Sequence, residues 1–231
     1  MCTPGSSSCD RPPVARGPDA LLGLRFMGVY RWNGRLVVWP WDPPRVHGAR
    51  HQQADQGGEG PVSALDMANL LIDRHGYDII LNNVRLNTLV YWVQVTSLRE
   101  HGRPAFDDPI EAWGMGPTEV EVFQAFKGYD RRRIALPRGA VPSDRISLSL
   151  VSQVIDEYGF LTTYDLVCFT QREGSAWRKA YGKGAETPMG DGLILASRDG
   201  LDRPGKAGTL ASAIETVNRT WPNTFELLQH A

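Results

Sequence analysis

The stretch that follows Asn82-Asn83 constrains the fold more than any other. Leu86, Leu89, Val90, Trp92 and Val93 spread apolar side chains around most of a helical circumference, and Gly102 with Pro104 closes the run. A helix apolar on so many sides has no face to give to water. It must be central, so the remaining chain has to supply elements that pack around it.

The flanking sequence supplies them. Ser63 begins an earlier helix, with Asp66 at capping-box spacing, and Leu65, Ala68, Leu71, Ile72 and His75 share one stripe before Gly76. Gly116-Pro117 reads as the start of a third helix, because proline suits the first helical position; Val120, Phe123 and Phe126 follow, and Gly128 ends it. Ser143 is the expected cap of a fourth, where Leu150, Val151, Val154, Ile155 and Tyr158 line up before Gly159. Thr162, with Asp165 beyond it, caps a fifth through Leu166, Val167, Phe169 and Thr170. After the Gly-rich stretch from Gly182 come a short apolar run, Leu193 to Leu195, and a helix over Thr209 to Val217. Trp221-Pro222 breaks that helix, and Asn223 or Thr224 caps a last turn. Five or more helices joined mostly by short connections predict a mainly α fold, a single compact bundle-like domain.

Residues 1–61 differ in composition, rich in Pro, Gly, Arg and His and poor in helical periodicity. Their one ordered-looking piece spans 24–41, where Asn33-Gly34 sits between two aliphatic and aromatic runs as a tight hairpin turn requires. Two readings of this leader stand side by side. It is either a low-complexity, disordered segment, or the product of a start site assigned too early. For the second, codons for Gly57-Gly58-Glu59-Gly60 have room for a purine-rich ribosome-binding sequence ahead of a GTG start at Val62. The organisation read from the sequence is therefore a leader over 1–61, a helical domain over 62–185, and a C-terminal extension over 186–231 whose short helix packs on the domain.

Charge and motifs exclude more than they assign. With 25 basic against 26 acidic residues, no global field draws the chain to nucleic acid or membrane. No apolar run approaches a bilayer span, residues 1–10 lack the order of a signal peptide, and Cys2, Cys9 and Cys168 make neither a disulfide framework nor a metal site; the expected location is the cytoplasm. Cys168 lies mid-helix between Val167 and Phe169 and reads as core. His47, His51, His75, His101 and His230 are scattered without zinc spacing, and His75 and His101 read as helix C-terminal residues facing the macrodipole. Gly182-Lys183-Gly184 follows no strand and lacks the Lys-Ser/Thr ending of a phosphate loop. Asp107, Asp108 and Glu111 have no neighbouring lysine in a strand and read as solvated carboxylates; Arg131-Arg132-Arg133 reads as a solvated helix exit. The expectation is no catalytic residue, no cofactor and no metal.

One stretch is more specific. Asn83-Val-Arg-Leu-Asn-Thr-Leu-Val-Tyr-Trp-Val-Gln94, His101-Gly-Arg-Pro-Ala-Phe106, Ile110-Glu-Ala-Trp-Gly-Met-Gly-Pro117, Val122-Phe123 and Phe126-Lys127 to Tyr129 follow one another in order, and Ile146 to Tyr181, with Ser175-Ala-Trp177, continues them. The series resembles the Panacea, or SocA-like, antitoxin domain family across most of 63–185. That family carries a Lys-Leu-Gln-Lys-Leu-Leu-Tyr-Tyr-Ala-Gln helix and a Glu-Ala-Trp-x-x-Gly-Pro turn. Glu111, Trp113, Gly116 and Pro117 are the fold motif, with Trp113 expected to fill the core between the second and third helices. Arg85, Asn87 and Thr88 depart from the family's lysines and glutamine, partly on what reads as the exposed helix face, and Thr118 stands where valine is common.

The resemblance implies an antitoxin of a bacterial or phage toxin–antitoxin pair, acting through protein contact on a toxin encoded beside it. The alternative it implies is an adaptor that delivers the toxin to an ATP-dependent protease. A phage-associated enzyme and a DNA-binding autoregulator are the competing classes, and neither a polar catalytic pocket nor a basic recognition helix is evident for them. Because aromatic and arginine side chains dominate interface energetics, Arg85, Tyr91, Arg99, Tyr129 and Arg131 are the expected partner-binding residues.

Overall fold

In the computed structural model the described residues are 61–129 and 131–220, with the backbone of two strands in the leader. The chain divides into two compact units, 1–57 and 58–231. In the first, β1 (Val29–Trp32) pairs antiparallel with β2 (Arg35–Val38), in a register that sets Val29 opposite Val38 and Trp32 opposite Arg35. The strands flank Asn33-Gly34 as a hairpin demands; the turn residues themselves lie outside the described residues, as do Trp221-Pro222, Asn223 and Thr224.

The second unit is mainly α, built on the helix expected to be central. That helix is preceded by α1 (Ala64–His75). Ser63 Oγ accepts from Asp66 N at 3.1 Å, and Asp66 Oδ2 accepts from Ser63 N at 3.0 Å, completing the predicted capping box. Asp108 adds a cap from far along the chain, accepting from Ala64 N at 2.7 Å, so this loop carboxylate has a structural duty. α2 (Asn83–His101) is capped by Asn82, which accepts from Arg85 N at 2.9 Å, and ends at Gly102. Burial runs without a break from Arg85 to Leu98, as expected of a helix enclosed by its neighbours. The largest core contacts lie along it: the Trp92 ring stacks on Tyr158 at 4.4 Å and meets Phe169 at 5.4 Å.

The third helix does not begin where the sequence placed it. Ile110–Trp113 is a strand, β3, and Gly116–Glu119 is its antiparallel partner β4; Ala112 faces Pro117 and Trp113 faces Gly116. β5 (Thr187–Pro188) joins the other edge of β3. Pro117 fits because β4 is an edge strand, where a missing N–H leaves no ladder bond unmade. Gly116, at φ 131°, takes a backbone conformation closed to other residues. The helix, α3 (Val120–Phe126), starts one turn later with Glu119 as its cap, and a 3-10 turn, Lys127–Tyr129, follows it.

α4 (Arg145–Tyr158) is capped by Asp144 rather than Ser143: Asp144 Oδ1 accepts from Ile146 N at 3.1 Å and Ser147 N at 2.9 Å. α5 (Thr163–Thr170) carries the predicted Thr162–Asp165 box. Two short helices, α6 (Ala176–Tyr181) and α7 (Asp191–Leu195), were not expected from the sequence. α8 (Leu210–Thr220) matches the expected tail helix, and Asp165 also serves its N-terminus, accepting from Leu210 N and Ala211 N. Among the described residues no helix is long and apolar enough to cross a membrane.

Candidate interaction surface

The five residues expected to bind a partner sort into three settings. Arg85 is buried in the first turn of α2. Its guanidinium donates to Ile80 O at 3.0 Å and to Gly159 O, at the C-terminal end of α4, at 2.8 Å. A cation on the unsatisfied carbonyls of a helix end is favourable. Burial lowers its pKa from the usual arginine value. Asn87 and Thr88 are buried too. The exposed helix face anticipated for these positions does not exist, because α1, α3, α4, α5 and β4 all pack on α2.

Tyr91 and Arg99 belong to an internal clamp. Tyr91 is buried and its hydroxyl donates to Asp199 Oδ2 at 2.6 Å. Burial, and then the Asp199 charge, push the phenol well above the ordinary tyrosine range. Asp199 is fully buried; Oδ2 also accepts from Ala176 N at 2.8 Å, and Arg172 faces Oδ1 at 3.5 Å, an ion pair without hydrogen-bond alignment. The Arg172 guanidinium lies over the Phe169 ring at 3.8 Å. Arg99 donates Nε–H to Asp199 O at 2.9 Å, and its two terminal nitrogens to Leu195, Ile194 and Ser197 carbonyls at 2.9–3.2 Å. Those donors tie the 191–202 segment to α2, leaving little to offer a partner.

Arg131 is exposed at the start of loop 131–138, which touches loop 76–81, while Tyr129, in the 3-10 turn before it, is half-buried against the core. Ile134 N donates to Leu81 O at 2.7 Å, and Arg133 donates to Gly76 O at 2.9 Å and to Tyr77 O. A side chain at Gly76 would start 3.2 Å from Ala135 Cα, so the glycine permits this approach. Asn69, buried in α1, accepts from Arg138 N at 2.8 Å and fixes the far end. Arg138 lies over the Tyr129 ring at 5.0 Å, and Arg132 donates to Gly128 O. Tyr77, Leu136 and Ile80 are 71, 62 and 61% exposed, which makes them three of the four most exposed large apolar side chains described. Sequence reading missed all three, since a single apolar residue between loop polars carries no periodic signal.

Two buried features remain. Glu119 accepts from Val122 N at 2.7 Å and Glu121 N at 3.1 Å, while its own N–H donates to Asn87 Oδ1 at 3.0 Å. Burial outweighs those hydrogen bonds and raises its carboxyl to about 7. In the fold motif, Trp113 is buried, its ring against Phe123 of α3 at 5.0 Å and its indole N–H donating to Glu111 at 2.8 Å. Its carbonyl accepts from Trp177 Nε1 at 2.7 Å, so the motif ties the sheet to α6. Cys168 is half-buried rather than core, and burial raises its thiol pKa. Among the described residues no cluster of His, Cys, Asp and Glu has the arrangement of a metal site.

Comparison with known proteins agrees with the motif reading. Residues 86–178 match the family model described as antitoxin SocA-like, Panacea domain. The chain is 26% identical over 155 residues to Antitoxin SocA of Caulobacter vibrioides, an alignment that covers 62% of this chain and 82% of that protein. No solved structure gives a significant match.

Proposed function

We propose that this chain, whose residues 86–178 carry the SocA-like Panacea domain, is an antitoxin that neutralises a cognate protein toxin by direct contact. The observation that carries this reading is likeness to an antitoxin over most of that protein's length, well beyond a shared motif. Fold likeness alone would not assign a function, and the internal geometry adds support. The polar side chains of the α2 clamp are committed to holding the fold, while an apolar and basic face stands open at the other end of the helix. Binding needs a surface of that kind. On this reading the domain spans 62–185 and the 186–231 extension is secured to it by β5 and the 191–202 segment, with the toxin gene beside the antitoxin gene.

The test is growth. The neighbouring open reading frame is induced alone and with this protein; toxicity alone and normal growth together are expected, with the two proteins co-purifying. A harmless neighbour, or one still toxic when this chain is expressed, overturns the reading. Repeating the rescue in a host lacking its ATP-dependent proteases separates occlusion of the toxin from delivery to a protease: direct neutralisation survives there, and adaptor action does not.

A further inference from the structure

We propose that the face built by loop 76–81 and the 127–138 segment is the toxin-binding surface, and that its partner presents an apolar anchor ringed by carboxylates. This rests on the antitoxin reading and adds to it a location and a partner chemistry. The case begins with composition. The whole chain is nearly neutral at net charge -1, yet 127–138 holds Lys127, Arg131, Arg132, Arg133 and Arg138 against Asp130, and loop 76–81 adds one exposed carboxylate, Asp78. Positive charge is concentrated there.

Position strengthens the case. Arg132, Arg133 and Arg138 donate to the carbonyls of Gly128, of Gly76 and Tyr77, and of Ala125, so their described hydrogen-bond partners are neutral. Carbonyl bonds hold a guanidinium in place without cancelling its charge. Side chains fixed before binding lose less entropy on binding, and arginine is enriched among residues that dominate interfaces. The same two touching loops carry the exposed Tyr77, Ile80 and Leu136. Exposed apolar side chains with charged neighbours along the chain suit a protein interface, whose core is apolar and whose rim is polar.

The same anatomy argues against a nucleic acid. A duplex nucleic acid is held through its phosphates by converging cations and makes little use of bare aliphatic side chains such as Ile80 and Leu136, while an anionic membrane is separated from a protein partner by the vesicle measurement below. A carboxylate-rimmed protein anchor uses both the cations and the apolar side chains. Arg85 acts beneath this face as a positioning residue: one arm of its guanidinium holds Ile80 O, the other Gly159 O, joining the loop to the end of α4.

The experiment uses the full chain and the tagged product of the neighbouring open reading frame. Ile80→Asp with Leu136→Asp, and separately Lys127→Glu with Arg132→Glu, are compared with Leu201→Asp, an equally exposed apolar position on another segment. Capture should fall at least tenfold for both face variants, with loss of growth rescue, and stay at the wild-type level for Leu201→Asp. Raising salt from 50 to about 300 mM should weaken wild-type capture and barely affect that of the charge-reversed pair. Unfolding is monitored by circular dichroism; the Lys127/Arg132 pair is the safeguard, because among the described residues both side chains hydrogen-bond locally, to Gln124 and Gly128. Wild-type rescue with undiminished rescue by both face variants overturns this inference and leaves the antitoxin reading standing. Failure of the wild type to rescue removes both. If the face variants keep toxin capture but lose association with phosphatidylserine-containing vesicles or a DNA duplex, the surface serves an anionic partner and the inference is wrong.

Discussion

The two ends of α2 use the same residue types in opposite ways. Toward its C-terminus, Tyr91, Arg99 and Arg172 converge on a buried aspartate and on carbonyls of the 191–202 segment, and their polar groups are consumed inside the protein. Near its N-terminus, the arginines of 131–138 and the aromatic rings beside them sit over loops and leave charge and apolar surface outside. Both sets of arginines donate to backbone carbonyls, and what separates the two is cover: Tyr91 and Asp199 are buried, whereas Tyr77, Ile80 and Leu136 on the outer loops are exposed. Arginine and tyrosine identity therefore marks interaction potential, and burial decides whether the partner is the protein itself.

Breaking the inward-facing end should give the largest effect. Asp199→Ala strips Tyr91 Oη and Ala176 N of their acceptor and leaves Arg172 without its counter-charge. Loss of one member of a buried charged network costs about 3–5 kcal/mol, which urea denaturation reads as a lowered midpoint at unchanged m-value. Hydrogen exchange should quicken first in 191–202. A loss below about 1 kcal/mol would mean the clamp does not secure that segment.

The interior beside the outward-facing end is expected to show a different signature, in pH rather than in absolute stability. Asp199 has Arg172 opposite it; around Glu119 the charges are the carboxylates of Asp108 and Glu121, with the helix N–H groups as its support. Its carboxyl is raised from the ordinary glutamate value of 4.5 to about 7 in the folded protein. The folded state then binds this proton more tightly than the unfolded chain, so the contribution of Glu119 to stability is full below about pH 4.5 and is lost as pH rises toward 7, by at most about 3 kcal/mol. Glu119→Gln retains an acceptor for the α3 cap and should remove that slope. A slope equal to that of the wild type between pH 4.5 and 7 would show that Glu119 is already ionised in the fold.

The local parts of this arrangement were legible in the sequence and the long-range parts were not. Ser63–Asp66 and Thr162–Asp165 declare helix starts within four residues, and the apolar circumference of α2 declares a centre. The 110–119 hairpin was misread because proline suits the first turn of a helix as well as an edge strand, and only the pairing with β3 chooses between them. Arg85 was read as exposed because arginine usually is; its real setting depends on Ile80 O and Gly159 O, the latter 74 residues away. Tyr91 meets Asp199 across 108 residues, a separation no periodicity reports. Of the proposed surface, the triple arginine is visible in the sequence, and Tyr77, Ile80 and Leu136 become notable only through their exposure on two loops that touch.

The smallest expected effect on stability is the one that sharpens the contrast most. Leu136→Ser replaces a side chain 62% exposed, on a loop whose fixed points are the backbone of Ile134 and Arg138. Neither hydrogen bond involves the leucine side chain, and little apolar area returns to water that was not already there. The unfolding free energy should move by no more than about 0.5 kcal/mol, as for surface substitutions away from caps and core. Differential scanning calorimetry beside the urea midpoint checks it. A structural residue loses stability and binding together, whereas a contact residue loses binding alone. Should Leu136→Ser lower stability by more than about 1 kcal/mol, the loop is packed more firmly than its exposure indicates, and the outward-facing end of α2 would have to be counted with the inward-facing one.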